Sequence, residues 1–149
     1  MHPEQKSFYE RVGGRAALEK VHKLFYTRAF SHPWLGQYFY AHVQEVLELQ
    51  QTQFMSYLMG GPNEFAGFPP KKAHAHMNIP EELFLIRQRL LSEAIQEAGL
   101  SDELREEWLA LDARMKFAIV KKDVSECSSQ ETGKAIVDFP NPARRQAKN

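Results

Sequence analysis

The sequence predicts an all-α chain, on three observations. No segment alternates apolar and polar residues for long. Several windows instead carry apolar residues three and four apart, the repeat of one face of a helix. Glycine and proline sit between those windows rather than inside them. At 149 residues the chain is sized for one domain with a sizeable core.

The first long helix is expected after Gly13-Gly14, with Leu18, Val21, Phe25 and Ala29 on one stripe. It should end near Ser31-His32-Pro33, because proline disfavours helical geometry in the residue before it. A short aromatic turn, Trp34 to Tyr40, follows. The second helix is expected from about His42 to Met59, with Val43, Leu47, Phe54 and Leu58 facing inward. Gly60-Gly61-Pro62 stops it by combining free backbone geometry with a missing donor. Gly60 to Ile79 reads as an irregular loop that isolates His74. Asn78-Ile79-Pro80-Glu81-Glu82 then looks like a helix start: proline suits the first turn and two carboxylates complement the positive end of the dipole. That helix runs to Gly99. The last begins at Ser101-Asp102-Glu103 and keeps Leu104, Trp108, Leu111, Met115 and Ala118 in a 4-3-4-3 rhythm. Two antiparallel helix pairs would thus share one core. Residues 1–122 form the expected globular domain. Residues 123–149 read as a tail, mobile or loosely docked, in which only Ile136 to Phe139 is apolar enough to anchor; it ends with Arg144, Arg145 and Lys148.

Composition narrows the function. Nineteen basic and nineteen acidic side chains cancel, so there is no broad positive field for a polyanion, and nucleic acid is not an expected partner. Charges interrupt residues 1–30 throughout, which fits neither a secretory signal nor a membrane span. One cysteine, Cys127, excludes an internal disulfide framework and a cysteine-based zinc site, and suits a reducing, cytoplasmic compartment. Ten Phe, five Tyr and two Trp are the unusual part. They fit either a heavily aromatic core or a flat aromatic or macrocyclic ligand.

Three side chains stand out for chemistry. Gln51 puts an amide in the middle of an apolar helix face, where burying it unpaired costs about 1–3 kcal/mol. Tyr26, beside the inward stripe, brings a hydroxyl that needs a partner if buried. The two either satisfy each other across packed helices or form a hydrogen-bonding pair above a metal-bound ligand. His74 either packs or binds from the other side. His74 and His76 are too close in sequence to chelate one ion from a helix, and His-x-His without cysteine or carboxylate is a weak zinc signal. His22, His32 and His42 read as surface or helix-end residues. No Ser-His-Asp order, phosphate-binding glycine loop or paired-carboxylate spacing is present.

Phe8-Tyr9-Glu10-Arg11-Val12-Gly13-Gly14, Phe25-Tyr26, Tyr38-Phe39, Leu58-Met59-Gly60-Gly61-Pro62, Phe65-Ala66-Gly67, Ala73-His74 and Ile79 to Phe84 together carry a resemblance. In a single ungapped register over about residues 7 to 121, the chain resembles the truncated haemoglobins, the two-over-two globins, and most of all their first group. The resemblance implies a two-over-two globin fold around haem b, with His74 as the proximal iron ligand and Phe39 as the phenylalanine wedged against the haem. It implies Tyr26 and Gln51 as the ligand-stabilising distal pair and Leu47 at the site that carries histidine in ordinary globins. Met55 and Met77 complete the implied haem contacts. The implied ligands are dioxygen, nitric oxide and carbon monoxide, and donors from Tyr26 and Gln51 would favour a polarised ligand over neutral carbon monoxide. Oxygen transport or storage and nitric-oxide dioxygenation both fall within that chemistry. The second would need a separate reductase, since no flavin or nicotinamide motif is present. A different reading is a gas or redox sensor whose sixth iron position is filled by Tyr26, His42 or His76.

Two positions and the tail depart from the family pattern. Met55 stands where some relatives have a tunnel-gating phenylalanine. Arg87 stands where relatives have an apolar pocket residue, so either the helix is rotated there or the guanidinium reaches a haem propionate. The tail after Lys122 has no counterpart.

Overall fold

A computed structural model describes residues 6–143. Its helices are α1 (Phe8–Val12), α2 (Gly14–Ser31), α3 (Gln44–Leu58), α4 (Pro70–Ala73), α5 (Glu81–Glu97), α6 (Asp102–Ala113) and α7 (Lys116–Ile119), with 3-10 turns at Leu35–Phe39 and Val124–Glu126. Among the described residues there are no strands, only two isolated parallel bridges, Met77 with Val137 and Ile79 with Val120.

The apolar stripe of α2 explains the packing. Leu18, Val21, Phe25 and Ala29 are buried, and α2 lies against both α3 and α5 while α5 lies against α6. Two helix pairs, α2 with α3 and α5 with α6, thus meet through α2 and α5, and Leu83, Phe84, Leu90, Leu91, Ala94 and Ile95 supply the α5 side of the core. The helix ends follow local chemistry. Ser7 Oγ accepts from the Glu10 amide, and Ser101 Oγ accepts from the Leu104 amide, each satisfying a first-turn donor. In the turn after α2, a Cβ on Gly36 would lie 2.5 Å from the Phe30 carbonyl oxygen. Only glycine allows that approach, and it brings Phe39 back under α2.

The sequence reading needs four corrections. Val43 is 60% exposed, because α3 buries Thr52, Met55 and Ser56 against its neighbours, leaving Leu47, Phe54 and Leu58 on a cavity wall. The last helix breaks after Ala113, so Met115 and Ala118 fall at a joint and in α7. The expected loop contains α4, opened by Pro70 at its first position. His22 is no surface residue: it is 1% exposed, with Nδ1 2.8 Å from Thr52 Oγ1 and its ring edge-on to Trp108 at 5.9 Å. Its stripe position, one residue past Val21, places it between α2 and α3.

Residues 123–143 run along the turn that precedes α5. The amide of Val137 donates to the His76 carbonyl, and the Asn78 amide to the Val137 carbonyl, each at 2.8 Å. Trp34 Nε1 donates to the Phe139 carbonyl at 2.7 Å, and Asn78 Nδ2 to Asp138 Oδ1 at 3.0 Å. Arg144, Arg145 and Lys148 lie outside the described residues.

Candidate functional site

His74 sits just past α4, and the short helix fixes its ring. Its amide and its Nδ1 both approach the Pro70 carbonyl oxygen, at 3.1 and 2.7 Å. A carbonyl only accepts, so Nδ1 carries the proton and Nε2 keeps its lone pair. Burial, first, and the charges of Arg87 and Lys121 push the His74 pKa down to about 4 against the opposing pull of the Pro70 bond. The imidazole is neutral at pH 7, the form that binds a metal. Lys121 steadies the same segment: its Nζ donates to the carbonyls of His74, Met77 and Ile119 at 2.9, 3.1 and 3.3 Å.

His74 faces a cavity of about 470 Å³, within the range of small-molecule and cofactor sites. Tyr26, Phe39, Leu47, Gln51, Met55 and Met77 line the same cavity. Phe39 stacks on Phe30 at 4.7 Å and stands edge-on to Tyr26 at 6.0 Å, so one aromatic cluster positions both the turn and the phenol. Burial pushes the Tyr26 pKa up to about 12, keeping the hydroxyl protonated. Tyr26 and Gln51 do not hydrogen-bond each other, and among the described residues neither side chain has a protein partner. Pairing across the helices, one of the two sequence readings, is therefore not what the structure adopts.

Arg87 is part of the same cavity lining. Its Nη1 donates to Asp112 Oδ2 at 2.7 Å, and both residues line the cavity. Asp112, on α6, is buried. It was readable only as an acid one turn past Trp108 on the inward face. Phe25, Phe54, Phe65 and Phe84 add further apolar wall. Thr132 and Lys134 of the tail also reach the lining, with no periodicity to announce them. His42 lines the cavity as well. His76 does not: it is buried, its carbonyl accepts from the Val137 amide, and its Nδ1 has no hydrogen-bond partner among the described residues.

The donor set suits haem better than a bare ion. Among the described residues no cluster of three or more His, Cys, Asp or Glu could hold a metal, whereas one neutral imidazole in a large apolar cavity matches a macrocycle that brings its own four nitrogens. Comparison with known proteins agrees. A family model described as Bacterial-like globin matches residues 7–121, and a group 1 truncated haemoglobin, GlbN of Mycolicibacterium paratuberculosis, is 30% identical over 134 residues, 90% of this chain and 93% of that protein. The chain belongs to the truncated haemoglobins, within the bacterial-like globins. This truncated haemoglobin is also 31% identical over 101 residues to the group 1 protein of Tetrahymena thermophila, covering 68% of this chain and 84% of that one. The crystal structure of the truncated haemoglobin of Tetrahymena pyriformis in its Fe(III) form superposes with a TM-score of 0.74 at 26% identity, over 78% of this chain and all of that one. The fold is the two-over-two globin fold, and membership implies a haem cofactor at which diatomic gases bind. No helix among the described residues is long and apolar enough to cross a membrane.

Proposed function

We propose that His74 Nε2 would hold the iron of a b-type haem and that Tyr26 and Gln51 would donate hydrogen bonds to a diatomic ligand bound there. The observation that supports this most is the His74–Pro70 bond, which leaves Nε2 free toward a cavity that Tyr26 and Gln51 also line without protein partners. When bound, haem supplies the iron and its redox chemistry. The protein's part is to bind, orient and exclude water. The Pro70 carbonyl fixes the imidazole plane, Lys121 holds the carbonyls around it, and the phenylalanines keep the cavity dry. Phe39, Leu47, Met55 and Met77 are assigned as haem contacts on the same grounds. With a lone cysteine and no Cys-x-x-Cys-His sequence, the chain offers no two-cysteine thioether attachment, which supports the b-type assignment.

Dioxygen is the assigned ligand, with nitric oxide and carbon monoxide as further ones. We infer in addition the conversion of nitric oxide and dioxygen, with one electron, to nitrate. A separate reductase would supply that electron. Absorption spectra of ferric, dithionite-reduced and carbon monoxide-bound protein, beside His74→Ala, test the assignment. A Soret band that is lost or displaced in the variant, with haem extractable into acid butanone, is the expected result. An unchanged spectrum in His74→Ala would overturn it.

A second reading, an internally ligated gas or redox sensor, has one observation in its favour: the His42 imidazole lines the cavity. A six-coordinate ferrous spectrum that becomes five-coordinate in His42→Leu would establish it.

A further inference from the structure

A part-buried cation, Arg87, stands in the wall of a largely apolar cavity whose rim the exposed Lys134 also lines. Arg87 lies on the inward face of α5, four residues after Leu83 and three before Leu90, both of them buried. Its guanidinium carbon lies 5.6 Å from the ring centres of both Phe25 and Phe84. The Asp112 carboxylate, 2% exposed, pairs with this guanidinium, which is cationic with or without it. Resting on the haem reading above, we propose that Arg87 makes the ligand side of the cavity selective for small anions, and that Asp112 sets how strongly.

A guanidinium has five N–H donors in a fixed fork. The bond from Nη1 to Asp112 Oδ2 uses one, and among the described residues no other protein acceptor meets the rest. Those donors are not sealed in the interior. Arg87 is absent from the buried atoms left without a partner, a fifth of its side-chain surface is open, and it lines the cavity. The Phe25 ring that Arg87 faces stands edge-on to Tyr26, centre to centre 4.9 Å, so the guanidinium and the phenol flank one aromatic ring on the same wall. Tyr26, Gln51 and the remaining N–H groups of Arg87 thus give one cavity donors that meet no protein acceptor among the described residues.

Stability alone is a poor account of the pair, because replacing a buried ion pair with apolar side chains of similar volume is often neutral or stabilising. Ligand discrimination is a better one. An anion entering the cavity sheds its hydration, and a charge-assisted hydrogen bond in a low-dielectric site offsets that cost. A neutral ligand gains little from the same group. Asp112 withdraws part of the field, so the two residues should act with opposite signs.

The test is equilibrium titration of the haem-loaded ferric protein with azide and fluoride, and separately with imidazole, followed by absorbance, with carbon monoxide binding to the ferrous form alongside. In Arg87→Met the azide and fluoride Kd values should rise by about tenfold or more, while the imidazole and carbon monoxide affinities stay within about twofold. Arg87→Lys should retain part of the anion affinity. Asp112→Asn, which keeps the cation and removes its counter-charge, should lower the anion Kd values. That opposite sign decides the matter if Arg87→Met does not fold. Anion and neutral ligands shifting together, or anion affinity unmoved with the Soret band intact, would overturn the proposal and leave the haem assignment standing. A wild-type protein without a Soret band would overturn both.

Discussion

His22 Nδ1 and Thr52 Oγ1 meet at 2.8 Å in the interior between α2 and α3. Each is the other's hydrogen-bond partner, and each is almost wholly buried. Thr52→Val keeps the shape but leaves an imidazole nitrogen unpaired, and should cost about 1–3 kcal/mol in urea unfolding at pH 7. Adding His22→Leu to that variant removes the orphaned group, so the double variant should recover part of the loss.

The same imidazole makes the fold acid-sensitive. Burial, with the Arg87 charge adding to it, pushes the His22 pKa down to about 3 from an ordinary 6.5. The unfolded chain takes up a proton below pH 6.5 that the folded chain refuses until about pH 3. His22 therefore costs nothing above pH 6.5, and lowers stability by up to about 1.4 kcal/mol per pH unit as pH falls through that window. The difference in unfolding free energy between His22→Leu and wild type, measured at several pH values from 7 to 4, should move steadily in the variant's favour. A difference independent of pH would contradict the assignment of His22 as a neutral interior group.

Tyr26 and Gln51 should separate dioxygen from carbon monoxide. Losing one donor to a partly charged ligand costs about 1.5–3 kcal/mol. Tyr26→Phe and Gln51→Leu should each raise the oxygen dissociation rate by about 10- to 100-fold, and leave carbon monoxide dissociation changed by much less. Stopped-flow displacement of oxygen by carbon monoxide measures the first rate directly. Because Tyr26 stays protonated up to about pH 12, the oxygen rate should also be flat between pH 6 and 9.

Periodicity carried the scaffold. Leu18, Val21, Phe25 and Ala29 keep one stripe, Gly60-Gly61-Pro62 halts α3, and Ser101 caps α6, because those signals are local. The cavity was not local. Tyr26, Gln51 and His74 come from three separate stretches, and the residues alone left packing and a shared site both open until the family resemblance chose between them. Asp112 was hidden for a related reason. A carboxylate on a helix reads as solvated unless its partner is known, and Arg87 lies 25 residues earlier on another helix. Lys121 satisfies three carbonyls, which no side-chain pattern can reveal. Thr132 and Lys134 reach the cavity from a segment with neither helical nor strand period.

Lys121 offers a way to disturb the His74 side alone. Its ammonium bridges the carbonyls of His74, Met77 and Ile119; Lys121→Met leaves the His74 carbonyl with the Met77 amide but removes this donor from the part-buried Met77 and Ile119 carbonyls, and should cost about 1–2 kcal/mol. As a positioning residue it should speed haem transfer to an acceptor apoglobin while leaving the oxygen dissociation rate within about twofold. An unchanged transfer rate would mean that α4 and the Pro70 bond hold the ring unaided.

The tail gives the last test. Val137 is buried, its amide and carbonyl are tied to His76 and Asn78, and Phe139 accepts from Trp34. Lys134, three residues away, is exposed, so trypsin reaches it as fast as the segment opens. Val137→Ala removes buried apolar contact worth about 1–3 kcal/mol. If the segment opens on its own, that loss falls on local opening rather than on the whole fold. Cleavage at Lys134 should then accelerate by about tenfold or more, with α2 to α6 remaining intact. Because Thr132 and Lys134 line the cavity, haem transfer should accelerate in the same variant. Equal acceleration at Lys134 and at sites within α5 would instead mean that the tail opens only when the whole domain unfolds.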